Sequence, residues 1–258
     1  MLSSNQGRRA RLSVECLEGR FTPAGGVLAV QQGGLLTLTG DREANYVTVA
    51  VTPTGGVTVT GTNTKVSVSR PVFTGVQSIR ANLGTGADAI SITGSGPGVR
   101  LAAVSVNGGS EVDMLNVSNL TVAGRLDVVG GSGADVVRIT NVLAEGKAAN
   151  GAVGVGMNLD LGSENDLLYL TVPAGGRQVA QVHIAGGAGS DLVSISGAGA
   201  GNSRLSSLVV EGGADDDRLQ ITSIRVDVGV YRGGTGVDRI QLFGDTRLDK
   251  FTLTSVVA

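Results

Sequence analysis

An aspartate with a glycine four residues before it recurs seven times along this chain, and that repeat limits what the chain can fold into. The aspartates are Asp88, Asp113, Asp135, Asp166, Asp191, Asp217 and Asp238. The glycines are Gly84, Gly109, Gly131, Gly162, Gly187, Gly213 and Gly234, and five copies carry a second glycine just before that one. The intervals are 25, 22, 31, 25, 26 and 21 residues, with a mean of 25. Aliphatic residues stand two and four positions after every aspartate, as Val193 and Ile195 do after Asp191. Nine and seven positions before it they recur in six copies, and only the last breaks the rule, with Gly229 and Tyr231.

Apolar residues at period 2 on both sides of a glycine turn describe two short strands, each with one apolar face. A single unit of this kind cannot bury that face, but units stacked in register bury a continuous column. Adjacent coils then pair in parallel at about 4.8 Å, and the glycines supply positive φ at the turns. The expectation is an all-β, single-stranded parallel β-solenoid, or β-helix, with one glycine-rich turn per ~25-residue coil. No segment after Gly25 longer than about ten residues has a convincing helical period. Two weaker copies bracket the seven, Gly40–Asn45 and Gly244–Asp249. Read as terminal caps, they raise the expectation to about nine coils and a rod on the order of 40 Å long. The 31-residue interval contains Glu145–Gly154, which reads as a loop bulging from one coil.

Composition agrees and excludes several classes. Glycine is 42 of 258 residues, without the three-residue period of collagen. A hydrophobic fraction of 41% is too aliphatic for a disordered chain. A net charge of −2 argues against a nucleic-acid partner. No apolar run reaches membrane-spanning length, and one cysteine allows no internal disulfide. The chain divides into a lead over residues 1–24 and a solenoid domain over 25–258.

The turn itself carries the chemistry. Gly130-Gly-Ser-Gly-Ala-Asp135-Val-Val-Arg, Gly186-Gly-Ala-Gly-Ser-Asp191-Leu-Val-Ser and Gly233-Gly-Thr-Gly-Val-Asp238-Arg-Ile-Gln resemble the hemolysin-type (RTX) calcium-binding nonapeptide. Three other copies place Glu111, Glu164 or Asp215 where that motif has its third glycine. The resemblance implies calcium held between successive coils by aspartate carboxylates and turn carbonyls, a hard-oxygen set of the kind calcium takes. The residues it designates are Gly131, Gly133, Asp135, Gly187, Gly189, Asp191, Gly213, Asp215, Asp217, Gly234, Gly236 and Asp238. Family copies recur every nine residues, whereas here there is one per coil, so at most one edge carries such a column. The competing reading has each aspartate accept backbone N–H bonds in a tight turn. Stacked carboxylates also repel, by about 3.5 kcal/mol per neighbour at an effective dielectric of 20. That repulsion calls for counter-charge from a cation or from Arg218 and Arg239.

Arg11-Leu-Ser-Val-Glu-Cys16-Leu-Glu-Gly-Arg20-Phe-Thr-Pro-Ala24 resembles the leader of predicted exported and surface proteins of planctomycete bacteria. That resemblance implies an extracellular or cell-envelope location. Arg8-Arg9 lacks the apolar stretch that a twin-arginine signal needs.

Catalytic constellations are sparse. One histidine, His183, falls at an outward strand position, and with a single cysteine it makes neither a zinc site nor a nucleophile–base pair. No phosphate-binding loop occurs. Asp215-Asp216-Asp217 is the only acidic cluster, and aromatics are 3%. The expectation is a non-catalytic structural or adhesive module, calcium-binding through its turns, whose partner is a surface protein or glycan. The alternatives are a metal-independent solenoid presenting a flat Ser/Thr face, or a polysaccharide-active β-helix.

Overall fold

The computed structural model describes residues 25–96, 98–147, 153–175, 178–199 and 202–255. The lead over 1–24, with Cys16, lies outside the described residues.

The chain begins with five short strands, β1 (Gly25–Gln32), β2 (Leu35–Thr39), β3 (Tyr46–Val51), β4 (Val57–Gly61) and β5 (Thr64–Val68). Coiling follows, two main strands to a coil. The pairs are β6 (Ser78–Thr85) with β7 (Ala89–Gly94) and, past the short β8 (Arg100–Leu101), β9 (Ala103–Ser110) with β10 (Met114–Val122). Next come β11 (Leu126–Ser132) with β12 (Val136–Ala144) and β13 (Val155–Ser163) with β14 (Leu167–Val172). After the short β15 (Gln178–Val179) come β16 (Gln181–Ala188) with β17 (Leu192–Gly197), then β18 (Arg204–Ala214) with β19 (Arg218–Thr222). The last pair is β20 (Arg225–Thr235) with β21 (Arg239–Phe243), followed by β22 (Arg247–Thr254).

The strand before each aspartate joins one sheet, ordered β22-β20-β18-β16-β13-β11-β9-β6-β2-β1-β5 and parallel except where β1 meets β2. We call it the lead sheet. The strand after each aspartate joins the other, β21-β19-β17-β14-β12-β10-β7-β3-β4, the trailing sheet. The two inner faces enclose the predicted aliphatic columns. Val182 and Ile184 from β16 and Val193 and Ile195 from β17 are all buried in this single core. Burial alternates along nearly every strand, as the period-2 pattern requires.

The structure is thus the expected parallel β-solenoid, with seven coils rather than nine. The shortfall comes from both ends. At the N-terminal end Asn45 does occupy the turn position, but β2 pairs antiparallel with β1 and β3 antiparallel with β4. This end is two hairpins: β2 and β3 lie parallel on β6 and β7, and their antiparallel partners β1 and β4 cap the stack. At the C-terminal end Asp249 lies inside β22, in register with the lead sheet (Val226 opposite Leu248, Val228 opposite Lys250). The chain does bend at Gly244 and Asp245, but Arg247–Asp249 is strand, so Asp249 stands in the sheet where a turn aspartate was expected. Arg225 holds Asp249 there through a 2.6 Å ion pair, and register with β20 outweighs the local turn resemblance. At about 4.8 Å per step, seven coils span about 30 Å.

The break in the last copy also has a cause. Gly229 leaves the space that the Phe251 ring occupies, since a Cβ there would run into the ring. Within the 31-residue interval, between β12 and β13, Lys147 and Val153 form an antiparallel bridge, and residues 148–152 of the expected loop lie outside the described residues.

Candidate functional site

The seven aspartates form one inner column at the corner between the sheets. Each carboxylate Oδ1 accepts a hydrogen bond from the main-chain N–H of the equivalent residue in the preceding coil. The series runs Asn45 to Asp88, Asp88 to Asp113, Asp113 to Asp135, Asp135 to Asp166, Asp166 to Asp191, Asp191 to Asp217 and Asp217 to Asp238, at 2.7–3.0 Å. The carbonyl of each donor residue accepts from the next coil too, as Asp166 does from Leu192 N–H at 2.9 Å. Where the chain turns, the sheet ladder would leave that N–H without a partner, and burial makes an orphaned amide costly. The side chain supplies the missing acceptor.

All seven aspartates are buried, and Oδ2 of each has no hydrogen-bond partner. In the five copies with a doubled glycine, Oδ2 packs against the first glycine, where any Cβ would overlap it. Burial is the main cause of a rise in acid pKa. It lifts Asp88, Asp135 and Asp191 to about 6, and Asp113, Asp166 and Asp217 to about 7. The neighbouring N–H pulls each back down, and nearby carboxylates push most of them up again. Tyr231, the aromatic intruder of the last coil, has a buried hydroxyl without a partner and a raised pKa from the same desolvation.

Beside the aspartates runs the glycine column. Gly131, Gly187, Gly213 and Gly234 have φ between 107° and 120°. A Cβ on any of them would strike the carbonyl oxygen of the equivalent glycine one coil back. Gly133, Gly189 and Gly236 lie two residues before their aspartates, with φ of 116°, 108° and 122°. Here the structure reveals a pattern that the motif comparison overlooked. Along the stack this position reads Glu43, Gly86, Glu111, Gly133, Glu164, Gly189, Asp215 and Gly236, acid and glycine alternating without exception. Glu111, Glu164 and Asp215 are left-handed, with φ of 72–74°. The glycine of each following coil packs on the acidic residue's main chain, where a Cβ would overlap its carbonyl. The true repeat is a two-coil unit, and reading the third-glycine column across copies would have shown it.

The twelve residues designated by the calcium resemblance therefore share one edge, in the third, fifth, sixth and seventh coils. Gly162, Glu164 and Asp166 of the fourth coil continue the same columns between them. The outer rim is tied as well: Ser190 N–H donates to Asn165 Oδ1 at 2.7 Å and Val237 N–H to Asp216 Oδ1 at 2.8 Å. Glu164 accepts from Gly133 N–H at 2.7 Å and from Ser163, which hold its carboxyl below the usual range. Among the described residues no group of three or more His, Cys, Asp or Glu side chains is placed to hold a metal ion. Arg218 and Arg239 stand on the outer face of the trailing sheet, away from the buried column they were expected to neutralise.

That outer face is the second candidate. The fifth residue after each of the first six aspartates is Thr93, Ser118, Thr140, Thr171, Ser196 and Thr222, an unbroken hydroxyl lane. Thr93 and Ser118 bond at 3.1 Å, Thr171 and Ser196 at 3.4 Å. The lane beside it holds Ser91 and Asn116, bonded at 3.1 Å, then Arg138 stacked 4.7 Å from the Tyr169 ring centre, Ser194, and Gln220 bonded to Gln241. The lead sheet differs, with ion pairs on its outer face such as Arg204–Asp227 and Arg232–Glu211. His183 lies there, outward as expected, with Nδ1 3.1 Å from Asn158 Oδ1.

Comparison with known proteins finds no matching family model, no matching curated protein and no matching solved structure. No helix among the described residues is long and apolar enough to cross a membrane.

Proposed function

We propose that this protein is a non-catalytic, metal-independent β-solenoid module that presents the flat hydroxyl face of its trailing sheet to a partner at the cell envelope. The observation that carries the reading is the carboxylate ladder. The oxygen that calcium would take is already the acceptor for an N–H of the coil before it, so the stack is closed by its own groups. Each ladder aspartate then offers one further oxygen, packed against glycine in five of the seven coils, whereas calcium takes six to eight oxygens. The leader resemblance is the support for the envelope location. A single histidine and a single cysteine leave no nucleophile–base pair to assemble, which supports a binding role over a catalytic one.

Thermal unfolding of the full chain in excess chelator and in millimolar calcium tests this. Equal transitions are expected. A calcium-dependent rise in the transition temperature would instead establish the turn edge as a calcium column.

A further inference from the structure

We propose that the outer face of the trailing sheet binds an acidic polysaccharide, a linear glycan bearing carboxylates, laid along the stack. This rests on the reading of that face as the recognition surface and names its partner. Taking the first, third and fifth residues after each turn from β3 to β21, the face contains no Asp, Glu or Lys and three arginines, Arg138, Arg218 and Arg239. It is acid-free in a chain whose net charge is −2. All three arginines are exposed. Arg218 and Arg239 are register neighbours in adjacent coils, facing the same way. Two guanidinium groups held side by side repel, and an anion between them removes that repulsion and takes up their N–H donors.

The spacing selects a long ligand. Arg138 lies three coils from Arg218, about 14 Å along the stack, beyond the reach of one small anion. Between them, beside Leu167, Tyr169 and Leu192, the side chains of Thr140, Thr171, Ser194, Ser196 and Gln220 offer donors and acceptors suited to sugar hydroxyls. At the far end a notch of about 250 Å³ opens, with Ala89 and Ser91 on its floor and the exposed Tyr46 and Met114 as walls. An apolar-walled notch of that size with polar groups beside it suits a sugar ring. Charge complementarity with the arginines selects a carboxylated glycan over a neutral one, and the negative net charge disfavours nucleic acid.

The test is affinity electrophoresis of the full chain through gels containing polygalacturonate, a neutral dextran, or neither, with an oligonucleotide shift in parallel. Retardation by polygalacturonate alone is expected, weakening with salt. The double variant Arg218→Gln/Arg239→Gln, with unchanged circular dichroism, is expected to bind about tenfold more weakly. Arg80→Gln on the lead sheet should bind as the parent does. Equal retardation by dextran, tighter binding of the oligonucleotide, or undiminished binding by the double variant would each overturn the proposal. Any of these leaves the chelator experiment untouched, so failure of the ligand class and failure of the metal-independent module are told apart.

Discussion

The main-chain N–H of Asp166 donates to Oδ1 of Asp191 at 2.8 Å, across one coil and 25 residues of sequence. Repeated seven times, this contact makes each coil depend on the side chain of the next.

Replacing Asp191 by alanine leaves the buried Asp166 N–H without an acceptor, at an expected cost of about 1–3 kcal/mol. Asparagine keeps an acceptor at Oδ1 and removes a charge that burial disfavours, so Asp191→Asn should match or exceed the parent near neutral pH. Urea denaturation of the two variants checks both values.

Stability should fall as pH rises, against the habit of most proteins. Six buried aspartates have folded-state pKa values raised to about 6 or 7, above the unfolded value of about 3.9. Between those limits the folded state holds protons that the unfolded state has released. Their contribution is complete below about pH 4 and is lost through about pH 6–7. Glu145 acts in the opposite sense. Its hydrogen bonds to Arg100 lower it to about 2, so its contribution fades only in stronger acid. Melting temperatures are expected to be higher near pH 5 than near pH 8 by several degrees, and a flat profile would contradict the assignment.

The two members of the turn alternation should respond differently to substitution. Gly189→Ala places a Cβ on the Glu164 carbonyl, at a φ that L-residues rarely adopt, and should lose about 3 kcal/mol. Glu164→Gly keeps an accessible φ, loses the contact to Gly133 N–H, and should cost about 1 kcal/mol. Chemical denaturation of both separates a two-coil repeat from a one-coil repeat with tolerant glycine sites.

At the C-terminal end, Gly229→Ala should displace the Phe251 ring and loosen β22 while leaving the central coils intact. Hydrogen exchange is the readout: amides of 247–254 should lose protection, and those of 181–197 should keep theirs.

The sequence by itself determined the coil. The Gly-x-x-x-Asp interval, the flanking alternation and the invariant glycines each express a constraint within one strand–turn–strand unit, so they are legible as local pattern. What the tertiary structure decided are relations between coils. Asn45 reads as a repeat and takes the turn position within the capping hairpins, whereas Asp249 reads as a repeat and is strand, because register against β20 settles which face it joins. The hydrogen-bond partner of Asp191 does not follow from its own turn. Its Oδ1 meets the N–H of Asp166, a residue 25 positions away that no reading of one turn brings near. Arg218 and Arg239 looked like counter-charges for the aspartates beside them in sequence. The strand pleat turns them to the opposite side and places them next to each other. In each case the deciding contact spans the ~4.8 Å step between coils, and which residues meet across that step is set by cumulative strand register, not by the residues on either side in the chain.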